Sequence, residues 1–374
     1  MPDPIRPPIV PGPSIVPGSS IVRDRATAPR RGVLPRRAVL AASALLAAPS
    51  LLARRADAAE TCVVGTWGGD YARLLRENID DPILKPRGVG VIQDVGDETP
   101  RYTKLMAQHM LPRGTMDIAC LGAVNGYRAT DAGLVEPLDT KKVPNLKHVL
   151  GYLSAPAFVP HIYSAQVIVY NAETVKDPPE SFADLLDPKW KGKVGMVSTV
   201  APWVMMGASL LESGTTTDFD KAKAFMLKLN ANGMRLYPET DAMAPAFKSG
   251  EIDVGVIWLA RSFMWHNAGF PVKGQFPKEG AILYVSGMVV PKNAPNKDAA
   301  FKYLNALLDP TAQRGFAAHM GYLPTVDDAP LSGEVGEQLS LPQPRPKLVT
   351  PDYSVISKSM ADLNDWWLKN IQHS

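Results

Sequence analysis

The sequence predicts an α/β protein of two lobes, each a mainly parallel sheet flanked by helices. From residue 60 onwards short apolar runs alternate with segments of helical period, as in sheets covered by helices on both faces. The 316 residues that follow the leader are enough for two lobes. Two apolar runs, Tyr163–Tyr170 and Ile282–Val290, are long strands that are expected to cross between the lobes.

Residues 1–58 predict an export leader and are set apart from the fold. Residues 1–32 are rich in Pro and Arg, which is typical of disorder. A chain that started at Val33 would have a leader of ordinary length, residues 33–58. In that segment Arg36 and Arg37 precede an apolar run, which favours the twin-arginine export route.

The apolar run Ala38–Ala53 is rich in Ala and Leu, and the small residues of the Ala-Asp-Ala triplet that ends at Ala58 predict cleavage there. The general secretory route remains an alternative, because Ala38 and Val39 stand where the twin-arginine route usually has Phe and Leu. A membrane anchor is a weaker alternative, because the run is shorter than the roughly 20 residues that span a bilayer.

The charge of the chain changes once the leader is removed. The whole chain has 40 Lys and Arg against 37 Asp and Glu. Residues 1–58 contain nine Arg, no Lys and three Asp, so the remainder has 31 basic and 34 acidic residues. The basic character therefore belongs to the leader, and the sequence shows no basic footprint for a nucleic acid.

The two cysteines, Cys62 and Cys120, both lie in predicted strands. They could pair in an oxidising compartment, but small buried thiols are the simpler interpretation. The six His residues lack metal-ligand spacing, and no nucleophile elbow, HExxH, phosphate loop or Cys-x-x-Cys motif is present. The sequence therefore predicts neither an enzyme nor a resident cofactor or metal.

The first predicted lobe alternates strands with helices, which gives parallel pairing. Its predicted strands are Thr61–Thr66, Val89–Val95 and Met116–Leu121. Helices are predicted over Tyr71–Asn78 and Tyr102–Met110.

A second lobe repeats this alternation. Its predicted helices are Ser181–Leu186, Val204–Glu212 and Phe219–Asn230, and its predicted strands are Lys193–Val197 and Asp253–Trp258. An amphipathic helix, Lys297–Leu308, follows the long second crossing strand. We place lobe 1 at residues 59–166 with 286–311, and lobe 2 at residues 167–285 with 312–374.

In such sheets ligands bind beyond the carboxyl ends of the strands, where free helix N–H groups also favour anions. The candidates there are Trp67, Gly68, Gly122, Ser198, Thr199, Trp258, Arg261, Tyr284 and Ser286. Core packing is the alternative for each tryptophan, but Trp67 and Trp258 stand at strand ends and are interpreted as binding residues. Other tryptophans are interpreted as packing or surface residues: Trp190, Trp203, Trp265, Trp366 and Trp367.

Several segments form a set of motifs in a fixed order. Residues 181–193 read Ser-Phe-Ala-Asp-Leu-Leu-Asp-Pro-Lys-Trp-Lys-Gly-Lys, and residues 247–258 read Phe-Lys-Ser-Gly-Glu-Ile-Asp-Val-Gly-Val-Ile-Trp. Shorter matches are Gly-Thr-Trp-Gly-Gly at 65–69, Met-Asp-Ile-Ala at 116–119, Ala-Gly-Phe-Pro at 268–271, Phe-Pro-Lys-Glu-Gly at 276–280, Val-Pro-Lys-Asn-Ala at 290–294 and Gly-Tyr-Leu-Pro at 321–324. Their order and spacing resemble the spermidine/putrescine-binding branch of bacterial extracellular solute-binding proteins, over nearly all of the chain after the leader.

This resemblance implies a type II periplasmic binding protein fold, whose lobes close by a hinge around a solute and present it to an ABC permease. It implies a monomeric periplasmic protein with no catalytic residues. Alignment to the family adds Tyr322 and Tyr353 to the ligand-binding set. A sensor that signals to a membrane receptor is an alternative to import, and a secreted α/β enzyme is a remote one.

The resemblance also bears on the ligand. The carboxylates that hold ammonium groups in polyamine binders are replaced here by Thr199, Pro202 and Ser286. Because an unpaired buried dication would cost several kcal/mol, these replacements argue against a polyamine.

Arg261 lies one helical turn after Trp258, and its guanidinium fork suits a carboxylate or a phosphonate. We therefore expect a small carboxylate- or amine-bearing solute of the amino-acid or organic-acid type, γ-aminobutyrate-like molecules included, with a polyamine as the alternative. If the solute carries an amine, the expected partner is Asp241 or Asp352.

Overall fold

The computed structural model describes residues 60–372, so the predicted leader and its cleavage after Ala58 lie outside the described residues. The strands are β1 (Glu60–Thr66), β2 (Val89–Val95), β3 (Ile118–Gly122), β4 (Val159–Asn171), β5 (Val194–Val197), β6 (Arg235–Tyr237), β7 (Val254–Trp258), β8 (Val272–Gln275), β9 (Ala281–Val289), β10 (Leu323–Pro324) and β11 (Leu348–Val349). The α-helices are α1 (Gly69–Leu75), α2 (Glu98–Gln108), α3 (Ala123–Asp131), α4 (Ala201–Ser213), α5 (Phe219–Ala231), α6 (Thr240–Lys248), α7 (Leu259–Asn267), α8 (Lys297–Leu307), α9 (Pro310–Met320), α10 (Gly333–Leu339) and α11 (Tyr353–Trp367). Between residues 60 and 372 no helix is both long enough and apolar enough to cross a bilayer.

The strands form a continuous mixed sheet in the order β2-β1-β3-β9-β4-β7-β5-β6. Parallel pairs occupy its two flanks, where β1 joins β2 and β3, and β5 joins β6 and β7. Antiparallel pairs join the flanks through β9 and β4. The predicted α/β class is confirmed, and the structure adds an antiparallel centre to the parallel flanks.

The two long strands that the sequence expected to cross between lobes lie side by side at the centre of the sheet. In β4, residues 159–165 pair with β9 and residues 166–170 pair with β7. The strand thus changes its neighbour at Ala165–Gln166, next to the expected lobe boundary. The lobe boundaries themselves stay a prediction.

Helix ends differ from the predicted ones for local reasons. Helix α2 begins at Glu98, one turn before the expected start at Tyr102, because Pro100 is tolerated in a first turn, where N–H groups have no helical partner. The predicted helix after Ser181 is a short 3₁₀ turn, Phe182–Leu186, held by a capping box from Ser181 and Asp184. Helix α1 continues directly into a π-helical segment, Arg76–Leu84.

Helices on both faces of the sheet bury distinct apolar clusters. One cluster joins α4, α5, α6 and the strands β5 and β7, and it also buries Trp367 of α11. Another joins α1, α8 and α9 to β1 and β3, and it contains Cys62 and Cys120. Both cysteines are buried and free, as the interpretation of small buried thiols predicted.

Candidate functional site

A cavity of about 350 Å³ lies between the carboxyl ends of β3 and β5. Gly122 ends β3 and Thr199 follows β5, so the cavity occupies the position where open α/β sheets bind ligands. Its walls come from the start of α2, from α3, α4, β9 and α11. The lining residues are Glu98, Thr99, Gly122, Ala123, Val124, Asn125, Arg128, Thr199, Pro202, Trp203, Leu283, Tyr284, Val285, Tyr353, Ser357, Met360 and Asn364.

Glu98 is the only carboxylate among the described residues that line this cavity. Its Oε1 atom accepts hydrogen bonds from the backbone N–H of Gly122, at 2.9 Å, and from Nδ2 of Asn125, at 2.8 Å. Between residues 60 and 372 its Oε2 atom has no hydrogen-bond donor. The carboxylate is thus fixed in orientation, with one oxygen left for a ligand.

Helix α3 adds a cation beside this carboxylate. One terminal nitrogen of Arg128 donates a hydrogen bond to Oδ1 of Asn125 at 3.2 Å. The guanidinium carbon of Arg128 lies 4.9 Å from the centre of the Tyr102 ring, within cation–π range. Arg128 is exposed, so its charge is well solvated and weaker than a buried one.

Four aromatic rings form a continuous row along the other side of the cavity. Trp203 meets Trp258 edge to face at 6.0 Å, Trp258 lies 5.2 Å from Tyr284, and Tyr284 lies 6.1 Å from Tyr322. Trp258 is 8% exposed and Tyr322 is 7% exposed. Trp203 and Tyr284 line the cavity directly. Trp258 contacts both of these rings, and Tyr322 contacts Tyr284.

Tyr284 lies within electrostatic reach of opposite charges. Burial raises the pKa of its hydroxyl well above the usual range; Tyr322 and Glu98 raise it further, and Arg261 opposes them. Arg261 acts in the same way on the pKa of Tyr322. Arg261 is half-buried, donates to the sulfur of Met264 at 3.7 Å and has no carboxylate partner between residues 60 and 372.

Trp67 lies outside the cavity lining and has a different environment. Its ring meets Tyr71 edge to face at 5.1 Å, and the guanidinium carbon of Arg101 lies 5.6 Å from it. Arg101 is 5% exposed and donates to the carbonyl oxygens of Cys120 and Gly96. A buried cation therefore lies over the Trp67 ring.

The structure brings only part of the predicted site together. Gly122, Thr199, Tyr284 and Tyr353 line the cavity, and Trp258 and Tyr322 contact Tyr284. The remaining predicted residues are outside the lining: Trp67, Gly68, Ser198, Arg261 and Ser286.

Three expected roles are altered by local contacts. Ser286 is fully buried and donates to the carbonyl oxygen of Leu121 at 3.4 Å, so its hydroxyl faces the sheet. Asp352 accepts hydrogen bonds from the first turn of α11 and is its N-cap, while Asp241 is exposed on α6. Neither aspartate lines the cavity, so the expectation that one of them holds an amine stays a prediction.

Sequence reasoning missed most of the polar lining. Glu98 lies three residues beyond the end of β2, so the strand-end rule would have found it had it been applied to that strand. Asn125 and Arg128 follow Gly122 by three and six residues on α3. Trp203, interpreted as packing or surface, is a wall of the cavity.

Comparison with known protein families identifies the family of this chain. Residues 91–342 match the model of the family described as bacterial extracellular solute-binding protein. The chain belongs to this family. Among curated relatives, the spermidine/putrescine-binding periplasmic protein of Escherichia coli is 30% identical over 205 residues, which cover 51% of this chain and 58% of the relative. The match thus spans less than two thirds of that protein.

Solved structures share the fold of this solute-binding protein at low sequence identity. An extracellular solute-binding protein from Bordetella parapertussis superposes with a TM-score of 0.74 and 21% identity, over 83% of this chain and 99% of the other. The structure titled the Atu4243–GABA receptor gives a TM-score of 0.74 and 22% identity, over 84% and 98% of the two chains. These similarities establish the architecture that the sequence predicted.

Proposed function

We propose that this chain is the exported solute-binding subunit of an ABC importer and that it captures a small solute carrying both an amine and an acid group. The observation that carries the proposal is that Tyr284 and the carboxylate of Glu98 line one cavity, and that the guanidinium of Arg261 acts electrostatically on the same tyrosine. Family membership supports solute binding, and the two opposite charges support a zwitterion such as an amino acid.

Glu98 supplies the partner for the amine. Its Oε1 atom is held by Gly122 and Asn125, so its orientation does not depend on the ligand. A charge-assisted hydrogen bond from an ammonium group to Oε2 would complete its set of partners. Such a bond offsets the desolvation of both charges only where the geometry is fixed beforehand, as it is here.

Arg261 supplies the partner for the acid. It is half-buried, acts electrostatically on the hydroxyls of Tyr284 and Tyr322, stands outside the cavity lining and has no carboxylate partner between residues 60 and 372. An Arg fork binds a carboxylate through two parallel hydrogen bonds. The solute would then lie across Tyr284, with its acid at Arg261 and its amine at Glu98.

A polyamine is the second candidate, supported by the name of the E. coli relative and by the aromatic row. A diamine needs a second anion, but Glu98 is the lone carboxylate of the described lining. Arg128 lines the cavity, and Arg261 acts electrostatically on Tyr284. Repulsion from these cations favours the zwitterion.

The rest of the proposal concerns assembly and place of action. We place the protein in the periplasm, as a monomer, after removal of the leader by either export route. The expected lobes, 59–166 with 286–311 and 167–285 with 312–374, would close about the central strands and present the solute to a membrane permease. The change in neighbour along β4 supports a hinge there.

Calorimetry on residues 59–374 with 4-aminobutanoate, butanoate and putrescine tests this proposal. We expect 4-aminobutanoate to bind most tightly, because only this molecule satisfies both charges. Glu98→Gln should reduce its affinity to that of butanoate, whereas the exposed control Glu239→Gln should have no effect. Tight putrescine binding together with absent 4-aminobutanoate binding would overturn the zwitterion in favour of the polyamine.

A further inference from the structure

A second cavity, of about 360 Å³, lies on the opposite face of α3. Helix α3 separates the two spaces, because Asn125 and Arg128 face the first cavity while Tyr127 and Thr130 face the second. The other walls of the second cavity come from the loop 152–158 and from the residues just before α11.

The two cavities meet at three shared residues. Ala123 begins α3, Val285 follows Tyr284 on β9, and Tyr353 begins α11; each lines both cavities. Ala123 is small and Val285 is buried, so Tyr353 is the largest side chain at the junction. The two cavities therefore adjoin beyond the end of α3, and a solute that fills the first would reach the second at this junction.

The chemistry of the second cavity differs from that of the first. Leu153, Phe158 and Val285 are buried apolar residues, and Tyr127 and Tyr353 add ring faces. Its one charged residue among those described, Asp131, is exposed on α3. The walls of such a cavity suit an aromatic ring or a branched alkyl group, with no second charge.

We infer that the solute is bipartite: a charged head binds in the first cavity and an aromatic or branched aliphatic tail fills the second. This inference rests on the proposed function, since it takes the amine and acid of the solute to be held near Tyr284. Each cavity alone is near the lower end of the roughly 300–1,000 Å³ range of ligand sites, and the two together suit a solute larger than a bare amino acid.

The test compares matched ligands on residues 59–374 by calorimetry: 4-aminobutanoate and 4-amino-3-phenylbutanoate. Each buried methylene equivalent contributes about fourfold in affinity, so the phenyl member should bind at least tenfold more tightly. Its binding should also show a more negative heat-capacity change, because more apolar surface is buried. This second measurement needs no variant and stands if the substitution below impairs folding.

Filling the second cavity gives the matched variant. Ala155→Trp, in the loop that lines it, should remove the gain from the phenyl group and leave 4-aminobutanoate binding unchanged. Ala107→Trp, exposed on α2 and outside both linings, is the control. If 4-aminobutanoate binds but the phenyl group adds nothing, or if the gain survives in Ala155→Trp, the bipartite solute is refuted and the proposed function stands. If neither ligand binds, the proposed function fails as well.

Discussion

The two sides of the first cavity are built differently. The charged wall, made by Glu98, Asn125 and Arg128, comes from α2 and α3 and is held by hydrogen bonds of 2.8–3.2 Å. The aromatic wall, made by Trp203, Trp258, Tyr284 and Tyr322, is held by ring contacts of 5.2–6.1 Å and is partly buried in the core.

The packing near these walls differs as well. Next to β3, the strand that ends at the charged wall, lie buried polar groups: the Tyr71 hydroxyl is 2.6 Å from Nδ1 of His161 and 3.4 Å from the sulfur of Cys120. Behind the aromatic wall lies an apolar cluster that includes Val256 and Met205. If the proposed function holds, the charged wall would select the class of solute, while the aromatic wall would provide apolar contact area.

The largest expected effect concerns the cation of the proposed charge pair. Arg261→Ala should weaken 4-aminobutanoate binding about 30-fold or more, because removing one partner of a desolvated charge pair costs about 2–5 kcal/mol. Arg261→Lys should restore little, because a point charge lacks the planar fork. Calorimetry checks both, with the exposed Arg113→Ala as the control. Unchanged binding in Arg261→Ala would remove this residue from the charged set.

The next effect tests the buried polar pair of His161 and Tyr71. His161 is fully buried, and burial lowers its pKa to about 3. Protonation therefore favours the unfolded state, whose His has a pKa near 6.5, and stability is lost as the pH falls below that value. Between pH 6.5 and pH 5 the loss should be about 2 kcal/mol, measured by urea unfolding.

The matching variant is His161→Phe, which cannot titrate. It should lower stability at pH 7 through the lost bond to Tyr71 but remove the His161 contribution to the acid loss. An acid loss of the same size in the variant would show that another group titrates there.

The aromatic wall gives a smaller effect on binding. Trp203→Ala should weaken solute binding about tenfold without unfolding the protein, because this ring is only half-buried and lines the cavity. Trp366→Ala, half-buried on α11 and outside the lining, is the matched control. Equal binding by both variants would mean that the aromatic wall does not touch the solute.

An effect of similar size comes from Asp80, a buried carboxyl in the π-helical segment that follows α1. Burial raises its pKa to about 6, so the folded state prefers the protonated carboxyl. Stability should fall by about 1–2 kcal/mol as the pH rises from 4 to 6, the reverse of the His161 effect. In urea unfolding, Asp80→Asn should remove this part of the decrease in stability between pH 4 and pH 6. A steeper decrease in the variant than in the parent would contradict the assignment to Asp80.

The sequence predicted the sheet better than the polar site. Val89–Val95 is a strand with the predicted bounds, because a β-branched run between glycine-containing turns leaves little choice. Glu98 was missed because the start of α2 was placed one turn late, so this carboxylate was never considered as part of a helix start.

The second feature that the sequence could not predict is how far along a strand the cavity extends. Tyr284 and Ser286 are two residues apart and share one face of β9, yet only Tyr284 reaches the cavity because Ser286 pairs with Gly122 of β3. Periodicity identifies the face of a strand, but only the tertiary pairing shows how far along it the cavity extends. The same limit applies to Trp203, whose environment depends on the packing of α4 against α11.

Helix α11 supplies the part of the cavity wall that comes last in the sequence. Tyr353, Ser357, Met360 and Asn364 recur at steps of four, three and four residues and form one stripe along the cavity. All the other wall elements precede this stripe in the sequence, and α11 packs on both α3 and α4. A chain that ended before Tyr353 would therefore have a cavity open on one side, even with every other wall element present.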